Sequence, residues 1–286
     1  MVGKYPVWIY AVNCFIFSFI HGQNYVLKFS FHSYEQIALD EQKNIYLISP
    51  SKATLTKFFQ HQNYDSSIVV GGKNLSLKES FVKPEKILIP DSKTIFLLDP
   101  VANDIKLLNT NLKIQRVWNF NEVQGDLQPF QLHSAAIAPS GEMFIQNKLN
   151  SLIYRINTFG EIDRTIGGNN YAEASITDAA KLACTKEHLY VWVQSEKKIY
   201  QFDHNGNFIK TYEFSINIEK IVSDIQNLIG YGKNQVYLFT KNGVFINILE
   251  HNLPIIDLYF IDNQIYILDE LGVSLYVLKK SKSMDR

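Results

Sequence analysis

The chain has 286 residues, with 28 basic and 28 acidic side chains balancing to a formal net charge of zero. That neutrality, with arginine only at 116, 155, 164 and 286, argues against a nucleic-acid-binding surface. Two cysteines exclude a disulfide framework, while 46% hydrophobic and 13% aromatic content describe a folded, strand-rich chain.

Residues 7–20 (VWIYAVNCFIFSFI) carry no charge; Lys4 precedes them and the polar stretch His21-Gly22-Gln23-Asn24 follows. A basic start and a short apolar run describe a secretory signal, and fourteen residues fall short of the ~20 that span a bilayer. We expect residues 1–22 to be a signal peptide; the plainer alternative is a buried first strand or core helix. The chain is then exported: periplasmic, outer-membrane-associated or secreted, with only indirect membrane association. Asn13 ahead of Cys14 does not suit a lipid-anchor cysteine, and Cys184 reads as a small buried hydrophobe.

One pattern then recurs: an apolar stretch, a polar turn, and an apolar–aromatic–apolar run. It appears as IALDEQKNIYLIS (37–49), ILIPDSKTIFLLD (87–99), AAIAPSGEMFIQN (135–147), LACTKEHLYVWVQ (182–194), LIGYGKNQVYLFT (228–240) and LYFIDNQIYILD (258–269). The aromatic anchors Tyr46, Phe96, Phe144, Tyr190, Tyr237 and Tyr266 are spaced 50, 48, 46, 47 and 29 residues apart. Each unit reads as a hairpin, and two more strand-like runs follow each of the first four. In the fourth unit those runs flank His204-Asn205-Gly206-Asn207, a strong hairpin turn. Four strands per repeat is the grammar of a propeller blade.

The last unit supplies three strands, and Tyr25–Phe31 (YVLKFSF) lacks a partner of its own. The expected fold is all-β: a six-bladed β-propeller over 23–280, with the N-terminal strand completing the last blade and a polar tail at 281–286. Closure removes two apolar strand edges that would otherwise invite aggregation. The short final spacing suggests a truncated outer strand in the fifth blade.

Val69-Val70-Gly71-Gly72, the step Phe81-Val82-Lys83-Pro84-Glu85-Lys86-Ile87 and RINTFGEIDRTIGG (155–168) resemble the NHL-type repeat. The chain is also similar to TolB-like six-bladed propellers, including those exported by Bacteroidota. That resemblance implies a fold more firmly than a function, since such propellers include protein-binding modules, RNA-binding modules, lyases and lactonases.

No nucleophile elbow, zinc-protease helix, EF-hand, Walker loop or dinucleotide fingerprint occurs in the sequence. The Gly pairs at 71–72 and 167–168 read as blade-ending turns. An enzymatic propeller builds its site where inner strands begin, at one mouth of the central channel. The corresponding positions are Glu35, Glu85, His133, Gln226 and Asp257, whose carboxylates and imidazole could hold Ca²⁺ or a transition metal. The plainer reading is a polar lining for a water-filled channel, with no cofactor. Asp40, Asp91 and Asp262 read as turn formers. Trp118 is either an outer-strand packing residue or the start of a recognition loop, and the linker 168–180 is a second candidate loop.

Taken from sequence alone, the leading expectation is an exported, non-catalytic module, a monomeric ring binding an envelope or secreted protein, a peptide or a glycan, and no nucleic acid. The alternative is a metal-dependent hydrolase or lyase at the channel mouth.

Overall fold

Short apolar runs separated by Asp-, Asn- and Gly-bearing turns fold as antiparallel meanders, because each turn reverses the chain within hydrogen-bonding reach. A computed structural model describes residues 18–19, 24–28, 33–72, 80–122, 129–167, 176, 180–240 and 243–279. The first strands are β1 (Ser18–Phe19) and β2 (Asn24–Lys28). Blade one is β3 (Gln36–Leu39), β4 (Ile45–Ser49), β5 (Thr54–Phe58) and β6 (Ser67–Gly71). Blade two is β7 (Lys86–Leu88), β8 (Thr94–Asp99), β9 (Asp104–Asn109) and β10 (Ile114–Asn119). Blade three is β11 (Leu132–Ile137), β12 (Met143–Asn147), β13 (Ile153–Ile156) and β14 (Ile162–Ile166). Blade four is β15 (Lys181–Cys184), β16 (His188–Val193), β17 (Lys198–Asp203) and β18 (Phe208–Glu213). Blade five is β19 (Lys220–Ser223), β20 (Leu228–Tyr231), β21 (Gln235–Phe239) and β22 (Phe245–Glu250). Blade six is β23 (Asp257–Ile261), β24 (Gln264–Asp269) and β25 (Gly272–Lys279), completed by β2. Among the described residues the only helical element is the 3-10 turn Gln60–Gln62.

The chain therefore forms the expected all-β, six-bladed propeller closed by its N-terminal strand. The strand β2 runs antiparallel to β25, with Tyr25 opposite Ser274 and Lys28 opposite Gly272. Most of residues 1–22, the expected signal peptide, and the tail 281–286 lie outside the described residues; Ser18 and Phe19 pair with Lys279 and Leu278. Closure depends on Gly272, whose φ of 149° and crowding leave no room for a side chain: a Cβ there would lie 1.9 Å from the Leu27 carbonyl oxygen. Gly272→Ala is expected to destabilise the ring by ~1–3 kcal/mol through overpacking at this seam. Urea unfolding indistinguishable from wild type would contradict it.

Packing follows the two-residue period of the strands. In β3, Ile37 and Leu39 face Tyr266 and Leu268 of blade six, while Ala38 faces Ile87 of blade two. Each inner strand thus gives one side to the preceding blade and the other to the next. All six aromatic anchors are buried. Five lie on second strands, as the repeat predicts, but Tyr237 lies on the third strand of its blade.

This displacement corrects the expectation of a truncated fifth blade. Its outer strand β22 is six residues long and pairs with β21 along its length. The hairpin 228–240 joins the second and third strands rather than the first and second. The true inner strand is β19, and Ile229 occupies the anchor position opposite Val222. The short spacing arises from this one-strand offset and from compact connections through Phe214–Glu219 and His251–Ile256.

The smaller expectations resolve as follows. Asn44 N–H and Asn44 side-chain N–H donate to Asp40, Lys93 and Thr94 N–H donate to Asp91, and Asp262 sits at φ 52°, so all three are turn residues. Gly71 ends β6 at φ 85°, where a Cβ would meet the Ala53 carbonyl and the Phe81 ring, a blade-ending turn as expected. Cys184 is buried, and burial pushes its thiol well above the ordinary value.

Candidate active site at the channel mouth

The first residues of five inner strands, with Ser134 two residues into β11, converge where the channel opens. Pairing register aligns Gln36, Lys86, Ser134, Lys181, Lys220 and Asp257, opposite Ile48, Leu98, Gln146, Trp192, Tyr231 and Leu268 respectively. An inner strand has no fifth strand beside it, so alternate backbone groups face the channel unpaired, an arrangement that must be satisfied somehow. Side chains at five of these six positions do so, each reaching forward to the next blade. Ile87 N–H donates to Gln36 Oε1 at 2.7 Å, Leu182 N–H to Ser134 Oγ at 3.2 Å, and Ile37 N–H to Asp257 Oδ2 at 3.0 Å. Lys220 Nζ donates to the Ile256 carbonyl at 2.9 Å and lies 3.5 Å from Asp257 Oδ1.

Lys86 reaches furthest. Its Nζ donates to the Ala135 carbonyl in blade three at 2.7 Å and to the Leu182 carbonyl in blade four at 3.2 Å. One amine thus spans three blades. Burial pushes it down to about 8 from the ordinary 10.5; Lys181 and Lys220 lower it further, while Asp257 opposes them. The Lys181 amine is also lowered, by desolvation first and by Lys220, against Glu85. Asp257 is buried and takes a hydrogen bond from the Tyr231 hydroxyl, whose own ionisation is driven far upward by burial and by that carboxylate.

A depressed lysine has a definite pH signature. Between about 8 and 10.5 the unfolded chain holds the more protons at residue 86, so raising pH across that window favours the folded state. Wild type is therefore expected to gain stability relative to Lys86→Met over that window in urea titrations. A slope of opposite sign would contradict the placement of this amine.

The sequence candidates fall out unevenly. Glu35 and Glu85 are at the mouth, with backbone N–H groups paired to Ile48 and Leu98 and with exposed side chains. The Glu85 carboxylate lies 3.7 Å from Lys83 Nζ. His133 is half-buried at the same level on β11, and Asp257 heads β23. Gln226 is misplaced: it sits in the turn between β19 and β20, at the opposite end of the inner strand, its N–H donating to Asp224. The one-strand offset in blade five produced that error. The position it was meant to fill belongs to Glu219 and Lys220. A local signal for them exists in the chain, because Glu219-Lys220-Ile221 repeats Glu85-Lys86-Ile87.

Those donors do not gather as a cation site. Among the described residues no group of three or more His, Cys, Asp and Glu side chains is placed to hold a metal ion. Asp257 is committed to Ile37, Tyr231 and Lys220, and lysines stand where further ligands would be needed.

Two features lie away from the mouth. Trp118 is an outer-strand packing residue, stacked on Phe96 with ring centroids 5.6 Å apart and covered by the Arg116 guanidinium. It also lines a shallow groove of about 210 Å³ with Phe159 and Gly160. The linker 168–180 lies outside the described residues except for Ile176 and Ala180, both buried.

No protein-family model matches the chain, and no curated protein matches it. Solved structures do. A gluconolactonase from Xanthomonas campestris superposes with a TM-score of 0.65 at 11% identity, covering 89% of each chain. Virginiamycin B lyase from Staphylococcus aureus gives 0.59 at 11%, covering 85% of this chain and 80% of the lyase. A luciferin-regenerating enzyme gives 0.60 at 10%, over 88% and 92%. At these identities the likeness establishes the fold, a six-bladed propeller of the kind these enzymes share. It also corrects the expectation of a non-catalytic interaction module, because these three propellers are enzymes and favour the alternative reading.

Proposed function

We propose that this chain is a hydrolase or lyase whose active site is the lysine-lined mouth of the propeller channel. The observation that carries the reading is the Lys86 amine, held between carbonyls of two other blades and able to shed its proton near neutral pH. Proton transfer by a positioned base works best when its ionisation lies near the working pH. In this reading Lys86 accepts a proton from substrate or water. Lys181 and Lys220 stabilise the negative charge that develops, as fixed charges do in a water-poor site. Asp257, tied to Tyr231 and Ile37, holds Lys220 in place.

The NHL-type or TolB-like character of the repeats, and export behind the segment 1–22, belong to the same reading; N-terminal sequencing of the secreted protein tests the second. The test of function is turnover by the purified full chain on lactones, esters and carboxylate-bearing lyase substrates. Saturable turnover is expected, and its absence across the panel would overturn the reading. Stoichiometric Ca²⁺, Mn²⁺ or Zn²⁺ lost on Glu35→Gln with Glu85→Gln would instead favour a cation-assisted site and overturn the lysine-based one.

A further inference from the structure

We propose that Lys86 is an amine nucleophile that captures a small carbonyl-bearing carboxylate, such as a 2-oxo acid, while Lys181 and Lys220 hold the carboxylate. The inference rests on the channel mouth being the reactive site and names the substrate class it takes.

Three of the six first positions are lysines, and they are not equivalent. Lys220 is engaged with Ile256 and Asp257, and Lys181 is exposed. Lys86 alone is drawn across the opening, with two N–H groups given to two carbonyls. A neutral amine has two N–H bonds and one lone pair, so this arrangement satisfies both donors and leaves the pair available. Lys86 is half-buried rather than sealed, so a small molecule entering the mouth can reach it. Amines become nucleophiles when desolvated beside other cations, and both conditions hold here. Lys181 and Lys220 put two positive charges within electrostatic reach of the Lys86 amine, against the buried carboxylate of Asp257 and the exposed Glu35 and Glu85 at the rim, so an incoming anion meets fixed cations beside the amine.

The step balances without any oxidant or reductant. The Lys86 lone pair forms the C–N bond as the carbonyl π electrons move to oxygen, which takes a proton. The resulting carbinolamine loses that oxygen as water, with the second hydrogen coming from nitrogen, and leaves an imine. Hydrolysis reverses the step and restores the amine.

The test is reductive trapping of the full chain with glyoxylate and cyanoborohydride, located by peptide mass spectrometry. Lys86 is expected to acquire a carboxymethyl group at least tenfold faster than the exposed Lys148 and Lys210. Lys181→Gln with Lys220→Gln should remove most of that advantage for glyoxylate while leaving trapping by acetaldehyde little changed. Labelling spread over surface lysines with Lys86 spared would overturn the inference, as would an unchanged glyoxylate preference in the double variant. Near-native circular dichroism of the double variant keeps that comparison valid, and the wild-type labelling pattern decides the matter if it misfolds. Turnover without Lys86 labelling overturns this inference and spares the hydrolase or lyase reading; Lys86 labelling without turnover does the reverse.

Discussion

Asp269→Ala is expected to lower the unfolding free energy of the ring by ~3–5 kcal/mol, the scale for breaking a buried charged network. Asp269 and His251 are both fully buried, with His251 Nε2 2.7 Å from Asp269 Oδ2. A carboxylate can only accept, so Nε2 donates to it, while Nδ1 is hydrogen-bonded to the Tyr276 hydroxyl at 2.7 Å. The Tyr25 hydroxyl donates to the same carboxylate oxygen at 3.0 Å, and Leu271 and Gly272 N–H donate to Oδ1. Tyr276, half-buried near Tyr25 and that carboxylate, is pushed up to about 12 by desolvation first and by both neighbours. The network joins the end of blade five, two strands of blade six and the closing strand β2. Removing Asp269 strands several donors at the seam where the ring is sealed. Tyr25→Phe deletes one donor only, so ~0.5–1.5 kcal/mol is expected. A urea midpoint for Asp269→Ala no lower than that of Tyr25→Phe would contradict the role given to this network.

Lys86→Met is expected to reduce turnover by about 10²–10⁴-fold, the range for loss of a positioned proton acceptor. The substitution keeps an unbranched side chain of similar length and removes the amine that links blades two, three and four. The loss should fall on kcat rather than KM, because Lys181 and Lys220 remain to bind an anion. Lys86→Arg keeps the charge but cannot release a proton, so it should fail to restore the rate. Activity within threefold of wild type in either variant would remove Lys86 from the chemistry.

The architecture was legible because it is written in local order: an alternating strand, an Asp- or Asn-bearing turn, and an aromatic that must be buried between blades. The fifth blade misled because every adjacent antiparallel pair in a meander has that same grammar. LIGYGKNQVYLFT is a good hairpin whichever strands it joins, and only hydrogen-bonded order shows that it begins one strand late. The error carried Gln226 to the wrong end of the channel and hid Lys220. Asp257, Glu35, Glu85 and His133 were placed at the inner-strand starts because those starts can be counted from the repeat. Lys86 and Lys181 were not singled out, since lysines at strand starts look like ordinary solvated residues. Their desolvation comes from convergence of six strands far apart in the chain. The Tyr25–Asp269 bond, spanning 244 residues, has no local signal at all.

The ionisation of the Lys86 amine is the most direct measure of whether the mouth is a reactive site. Competitive acetylation across pH, read residue by residue by mass spectrometry, reports it in the intact chain. Lys86 should titrate near 8, with the exposed Lys148 and Lys210 read in the same samples as references. A Lys86 profile superimposable on those two surface lysines would contradict the account.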